Sequence, residues 1–425
     1  MHVVFWDWEG HLFFVFVHVL RDVDFLHHEK EKRMKKILVL LVVLFGSVVL
    51  AGCEGLMTDP EEDTFVFTLE SLFGDILVEE HIPWIQDDTR DNLEIIGTHV
   101  DLDYDVYDFG VFIKGIDGHY PTEYGVTWNY WFALEVDGTT SEVGISDVTI
   151  EKDMVITFRE TTSLDWTDIL VDEIVHGFLA DHAHEYVTPT SVSHHVAAAL
   201  KLLEGAGHDV SSLMSAQDDV TAFLAGLGSM TPATFFRSVV IENAFSTGTA
   251  YDSAGIVASN HYDAVALLSA LDILGEEVPS GLLDTLLSST PEYMDADYAG
   301  MLLEALAGHE TQDNVPETVS AMTDYLAGQM TSSGMSAWGT PNAASTASAI
   351  SGLVAHGIDP RSEDWMFEDT DLIEALLSYG QDCVFLWKAD DESPDMMFST
   401  PQAFAALVQY KVFRDTWGNP ATPLF

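Results

Sequence analysis

Six segments of this chain can be laid on one another: SHHVAAALKLL, SMTPATFFRSVV, NHYDAVALLSAL, DADYAGMLLEAL, AASTASAISGLV and STPQAFAALVQY. Alignment on a small residue brings Ala197, Ala233, Ala264, Ala299, Ala347 and Ala403 into register, at intervals of 31 to 56 residues. Three positions further on stand Leu200, Phe236, Leu267, Leu302, Ile350 and Ala406. Each segment therefore keeps an apolar stripe at helical period beside a residue small enough for another helix to approach. Second helices lie between several of them, as in SLMSAQDDVTAFLAGL, PSGLLDTLLSS, PETVSAMTDYLAGQM and DLIEALLSYG, whereas FSTGTAYDSAGIV has no such pattern. Such repeats bury their stripes only against neighbours. Six inner helices alternating with outer ones predict an α6/α6 toroid over 191–425, with an open helical array as the alternative.

The front half follows the other period. Val111-Phe112-Ile113 and Val155-Ile156-Thr157-Phe158 read as strands, and Asp117-Gly118 and Asp137-Gly138 are hairpin turn signals. A small antiparallel β-domain is expected over 64–162, with 163–190 as a linker. The fold class is thus α+β and multidomain.

Before this comes RMKKILVLLVVLFGSVVLAGCEG, in which Lys35 and Lys36 precede an apolar run from Ile37 to Ala51 that ends at Gly52-Cys53. At about fifteen residues the run is short for a span of the bilayer, which takes about twenty. With small residues before the cysteine, it reads as a bacterial lipoprotein signal over 34–52, and Cys53 as the acylated first residue of an exported chain anchored to the outer face of the cell membrane. Residues 53–63 form an acidic tether. Glu29 to Arg33 can be encoded by purine-rich codons holding a ribosome-binding sequence, so 1–33 reads as mistranslated leader.

The formal charge is −54, with 70 acidic and 16 basic residues, yet 47% of the chain is hydrophobic. That composition excludes a nucleic-acid partner, which needs clustered Lys and Arg, and also a disordered acidic tail. An acidic skin over a real core suits a halophile, where salt screens the self-repulsion. A calcium-loaded surface is the weaker alternative, because no D-x-D-x-D-G loop is present. Only Cys53 and Cys383 remain for the exported part, so no disulfide framework supports it.

The order DFGVFIKGIDG, WNYWFALEVDG and SEVGISDVTIEKDMVITFRE resembles the transcobalamin C-terminal-type β-domain, with Tyr130-Trp131, Asp137-Gly138 and Val143-Gly144 in the matching places. Lys152-Asp153 stands where Gly-Asp is usual. The repeats resemble prenyltransferase and squalene-cyclase-like toroids. Together the halves match the transcobalamin and intrinsic-factor superfamily in content, with the β-domain first. This resemblance implies a mouth of the toroid facing the β-domain and a ligand, cobalamin or another corrinoid, between them.

Enzymatic motifs are weak. Asp295-Ala296-Asp297-Tyr298 departs from the D-x-D-D of class II cyclases, and Cys383 is the sole thiol available to a prenyltransferase-type zinc site. Asn260-His261-Tyr262 offers lyase residue types, but adjacent helical positions diverge by about 100°. His176, His182, His184, His194 and His195 cluster without metal-ligand spacing, and no metal or required cofactor is expected. The stronger signal lies just before each anchor, where parallel inner helices would gather their first turns at one mouth. Capping accounts for many of these polar residues. His194, His195, His261, Tyr262, Asp297, Tyr298, Asn342 and Gln402 are the candidate ligand contacts there, with Trp128, Tyr130 and Trp131 as a flat counterface from the β-domain. The expected activity is therefore non-enzymatic capture of a small ligand by a surface lipoprotein. An adhesive protein that binds a protein or glycan is the alternative, and a degenerate toroid enzyme a third.

Overall fold

The computed structural model describes residues 4–6, 12–14, 63–107, 110–121, 129–288, 294–337, 339–416 and 423–425. Cys53, Trp128, the apolar run 37–51 and the tether up to 62 lie outside these residues. The first of two compact units, Met1–Glu62, contributes one antiparallel pair, β1 (Val4–Trp6) with β2 (Leu12–Phe14). The second unit, Asp63–Phe425, holds both the β-rich and the helical parts. Among the described residues no helix is long and apolar enough to cross a membrane.

The β-rich part contains β3 (Thr64–Glu70), β4 (Ile76–Pro83), β5 (Leu102–Tyr107), β6 (Gly110–Ile116), β7 (Tyr130–Val136), β8 (Thr139–Thr140) and β9 (Val155–Thr162). One sheet has the order β4-β3-β9-β7-β8, while β5 and β6 pair separately. Pairing is antiparallel except between β3 and β9, which run parallel because the intervening segments carry the chain across the sheet before it returns. Alternation does what the sequence leads one to expect. Phe65, Phe67 and Leu69 of β3 are buried with Ile156 and Phe158 of β9, against α1 (Asn92–Gly97) and β6. At the hairpin tips Asp117 and Asp137 have φ of 48° and 49°, followed by Gly118 and Gly138 at 78° and 74°, the left-handed pair that matches strand twist. Asp153, in the place where the resembled domain has its Gly-Asp turn, also takes a left-handed φ of 62°.

The stretch 163–190, expected as a linker, carries the sixteen-residue helix α2 (Trp166–Asp181). Beyond it come α3 (His194–Gly205), α4 (Ser211–Met214), α5 (Gln217–Ala225), α6 (Pro232–Phe245), α7 (His261–Leu274) and α8 (Ser280–Ser288). The remaining helices are α9 (Ala296–Leu306), α10 (Val315–Ala327), α11 (Ala343–Ala355), α12 (Leu372–Leu377) and α13 (Ser399–Asp415). All six aligned segments are helices, and they pack in the cyclic order α3-α6-α7-α9-α11-α13, with α13 back against α3. The outer layer departs from six-fold regularity. α2, α5, α8, α10 and α12 pack outside the cycle, while 246–260 between α6 and α7 forms no helix among the described residues. That segment is FSTGTAYDSAGIV again, whose Ser, Thr and Gly favour turns over helix.

Close approach of α9 and α11 is marked by two glycines outside the aligned positions. Gly300 follows the Ala299 anchor, and a Cβ placed on it would lie 2.3 Å from the Ser348 carbonyl oxygen of α11; one on Gly352 would lie 2.7 Å from the Gly300 oxygen. We therefore expect Gly300→Ala to cost about 1–3 kcal/mol by forcing α9 and α11 apart. Gly281→Ala in α8 meets nothing within 4 Å and should leave stability unchanged or raise it. Urea unfolding of the two variants beside the parent checks the contrast.

The β-rich part is bonded to the helices through Tyr130 and Asn129, which donate to carboxylates of a buried ionic network within the helical part. Asp172 of α2 accepts from Tyr130 Oη (2.7 Å), Lys411 Nζ (2.8 Å) and Arg414 Nη2 (2.9 Å). Asp415 takes Asn129 Nδ2 at 2.9 Å and Lys411 at 3.1 Å. Tyr410 donates to Asp168 at 2.8 Å, and Arg361 reaches Asp371, Asp165 and Asp168 at 2.8, 3.0 and 3.1 Å.

Candidate functional site

Five of the inner helices begin on a side-chain cap. Ser193 Oγ accepts from Val196 N, Asn260 Oδ1 from Asp263 N (2.9 Å), Asp295 Oδ1 from Tyr298 N (2.9 Å), and Asn342 Oδ1 from Ser345 N (2.9 Å). Thr231 caps α6 in the same way at 3.2 Å. At α13 the role passes to Asp395, whose carboxylate accepts from Phe398 N and from Ser399 N and Oγ. One cavity of about 400 Å³ lies among the first two turns of these helices and beyond, and every inner helix contributes to its wall: His194 and His195, Arg237, Tyr262, Asp297, Ser348 and Gln402. A second cavity of about 590 Å³ shares His194, His195, Arg237, Phe398 and Gln402 with the first, so the two adjoin along that edge.

The structure thus brings together five of the candidates, His194, His195, Tyr262, Asp297 and Gln402. His261 and Tyr298 sit immediately behind the wall, Tyr298 fully buried with its ring edge-on to those of Tyr262 (5.3 Å) and His261 (6.2 Å). Asn342 is buried as a cap and does not reach the cavity. Tyr130 and Trp131 are not part of it. Tyr130 is committed to Asp172, and its neighbour Asn129 bonds Asp415 in the last turn of α13. Gln402, in the first turn of that helix, is thirteen residues from Asp415, about 20 Å at 1.5 Å per residue. The bond from Asn129 is therefore at the end of α13 away from the mouth, and among the described residues none of 63–162 lines the cavity. Tyr130 was expected as part of a counterface to the mouth; its hydroxyl is instead held by a buried carboxylate outside the cavity.

The electrostatics of the cup follow from enclosure. Burial pushes both imidazoles below the usual histidine range, His195 to about 3, with Arg237 nearby acting in the same direction. They are neutral rings at physiological pH. Burial raises the Asp297 carboxyl, and its Oδ1 is enclosed without a hydrogen-bond partner. Tyr262 donates to Asp295 at 3.2 Å, and burial together with that carboxylate holds its phenol above the ordinary value. Glu304, two turns deeper on α9, is pushed up to about 7 by burial, against the opposing hydrogen bonds from Leu424 N and Gln409 Nε2.

Phe236, Arg237, Glu304, Phe398, Leu424 and Phe425 also line the cavity and were not among the candidates. Glu304 had a signal, since it breaks the apolar stripe of MLLEAL, and Arg237 is the one basic residue in its aligned segment. The expected histidine cluster is divided: His182 Nε2 bonds the Asp382 carbonyl (3.1 Å) far from His194 in the chain. Among the described residues no three His, Cys, Asp or Glu side chains group as a metal site.

A family model described as a domain of unknown function, DUF4430, matches residues 93–162, which run from α1 to the end of β9. No curated protein and no solved structure matches the chain.

Proposed function

We propose that this chain is a non-enzymatic binding protein that takes a small ligand into the cup at the first turns of the inner helices. The carrying observation is that all six inner helices converge on one part-apolar cavity with a few polar groups, the general form of a ligand site. The adjoining second cavity extends the surface along His194 and Gln402, which leaves room for a ligand larger than either space alone. A corrinoid is the ligand we propose, on the transcobalamin-like order of strands in 64–162. The chain is proposed to act outside the cell as a lipoprotein held to the bilayer by acylated Cys53. A surface partner, protein or glycan, is the second reading, favoured by the exposed apolar rim of Trp387, Met397 and Phe398.

The test is a thermal melt of the Cys53→Ser protein in molar salt with cyanocobalamin and with cobinamide. We expect a rise of several degrees and a change in the visible corrinoid band, both lost in Arg237→Ala. No response to either corrinoid removes that ligand class. A response unchanged in Arg237→Ala removes the cup as its site.

A further inference from the structure

Part of the cup is already filled by the chain itself. The segment Pro423–Phe425 belongs to no helix or strand, yet Leu424 is 7% exposed and its N–H is bonded to Glu304 Oε1 inside the ring. The Phe425 ring stands 6.0 Å from that of His194 in a nearly parallel stack (17°), 5.8 Å from His195, and 5.0 Å from Phe236 edge-on. His194 and His195 are themselves 4.0 Å apart, and His194 meets Phe236 at 5.6 Å. Three rings from two inner helices therefore surround a fourth at the separations aromatic pairs prefer. The carboxylate beside it receives a backbone donor.

Resting on the reading of the cup as a ligand site, we propose that His194, His195 and Phe236 form a subsite for a planar aromatic ring bearing an N–H donor, and that Phe425 occupies it as a tethered competitor. The segment supplies both features of such a ligand, a flat ring for the cage and an N–H for Glu304. Because it takes part in no helix or sheet, its departure breaks no secondary structure. An incoming ring then sees the cage only for the fraction of time that Phe425 is out, and its apparent affinity falls by that fraction.

Indole has the flat ring and the N–H donor, and it is the probe. Its dissociation constant is measured by NMR titration of the Cys53→Ser protein and of the same protein with Phe425→Ala or Phe425→Leu. Binding about tenfold tighter in both variants is expected, as for a cage occupied nine parts in ten, and Phe236→Ala added to Phe425→Leu should abolish the gain. Phe425→Leu guards against misfolding, since it removes the competing flat ring while keeping an apolar residue at that position. Equal affinity in parent and Phe425 variants overturns the competitor. No indole binding to any of them, or a gain that survives Phe236→Ala, overturns the ring subsite. A corrinoid that fails while indole gains tenfold removes the proposed ligand and leaves this subsite standing.

Discussion

Asp172→Asn should lower the stability of the second unit by about 3–5 kcal/mol, the cost of stranding buried cations without their anion. Asp172 is 1% exposed and faces Lys411, also 1% exposed, together with Arg414 and the Tyr130 hydroxyl. An amide of the same shape keeps the packing and removes the charge. Tyr130→Phe deletes the hydrogen bond to Asp172 and should cost about 1–2 kcal/mol, its acceptor being charged. Urea unfolding at fixed molar salt, followed by tryptophan fluorescence, separates these effects. The coupling between the two substitutions measures how much of the joint runs through that phenol. A loss below 1 kcal/mol for Asp172→Asn would mean that Asp168 and Asp415 suffice for both cations.

Glu304→Gln should change how stability varies with pH. Unfolded, this carboxyl titrates near 4.5; folded, burial lifts it to about 7. A raised carboxyl stabilises the folded state fully below the unfolded value, and that contribution disappears as pH rises through the folded value. The span is about 2.5 pH units, or about 3 kcal/mol at 1.36 kcal/mol per unit. The parent-minus-variant difference in unfolding free energy should therefore fall by about 3 kcal/mol between pH 4.5 and 7.5. Taking the difference cancels the many surface carboxylates common to both. A difference that stays flat across this window would place an ordinary carboxyl at Glu304.

The inner layer was legible because its rule is local. A small residue, an apolar residue three positions later and a cap four or five positions earlier recur in four of the six inner helices, as at Asn260-Ala264-Leu267 and Asp295-Ala299-Leu302. The helix α2 was missed because WTDILVDEIVHGFLAD mixes acids into its apolar face, and those acids, Asp168 and Asp172, are buried by partners some 240 residues away. No local pattern announces such pairing. For the same reason Tyr130 looked like a ligand contact. Its aromatic neighbours suggested a counterface, and only the fold gave its hydroxyl to Asp172. His194 and His195 exceeded what capping needs, and they do face the cavity, whereas Asn342 was explained by capping alone. Phe425 left no trace in the repeat pattern, because it enters the cup from outside the repeats.

The position of the scarce cations gives salt a selective effect. Arg361, Lys411 and Arg414 have side chains 18%, 1% and 10% exposed, and all three are paired with carboxylates of the network that also receives Tyr130 and Asn129. Dissolved ions screen charges they can surround, and reach buried pairs much less. Brine that quiets the acidic exterior thus leaves the internal fastening nearly at full strength, so one variable governs the skin while the seam beneath it is insulated.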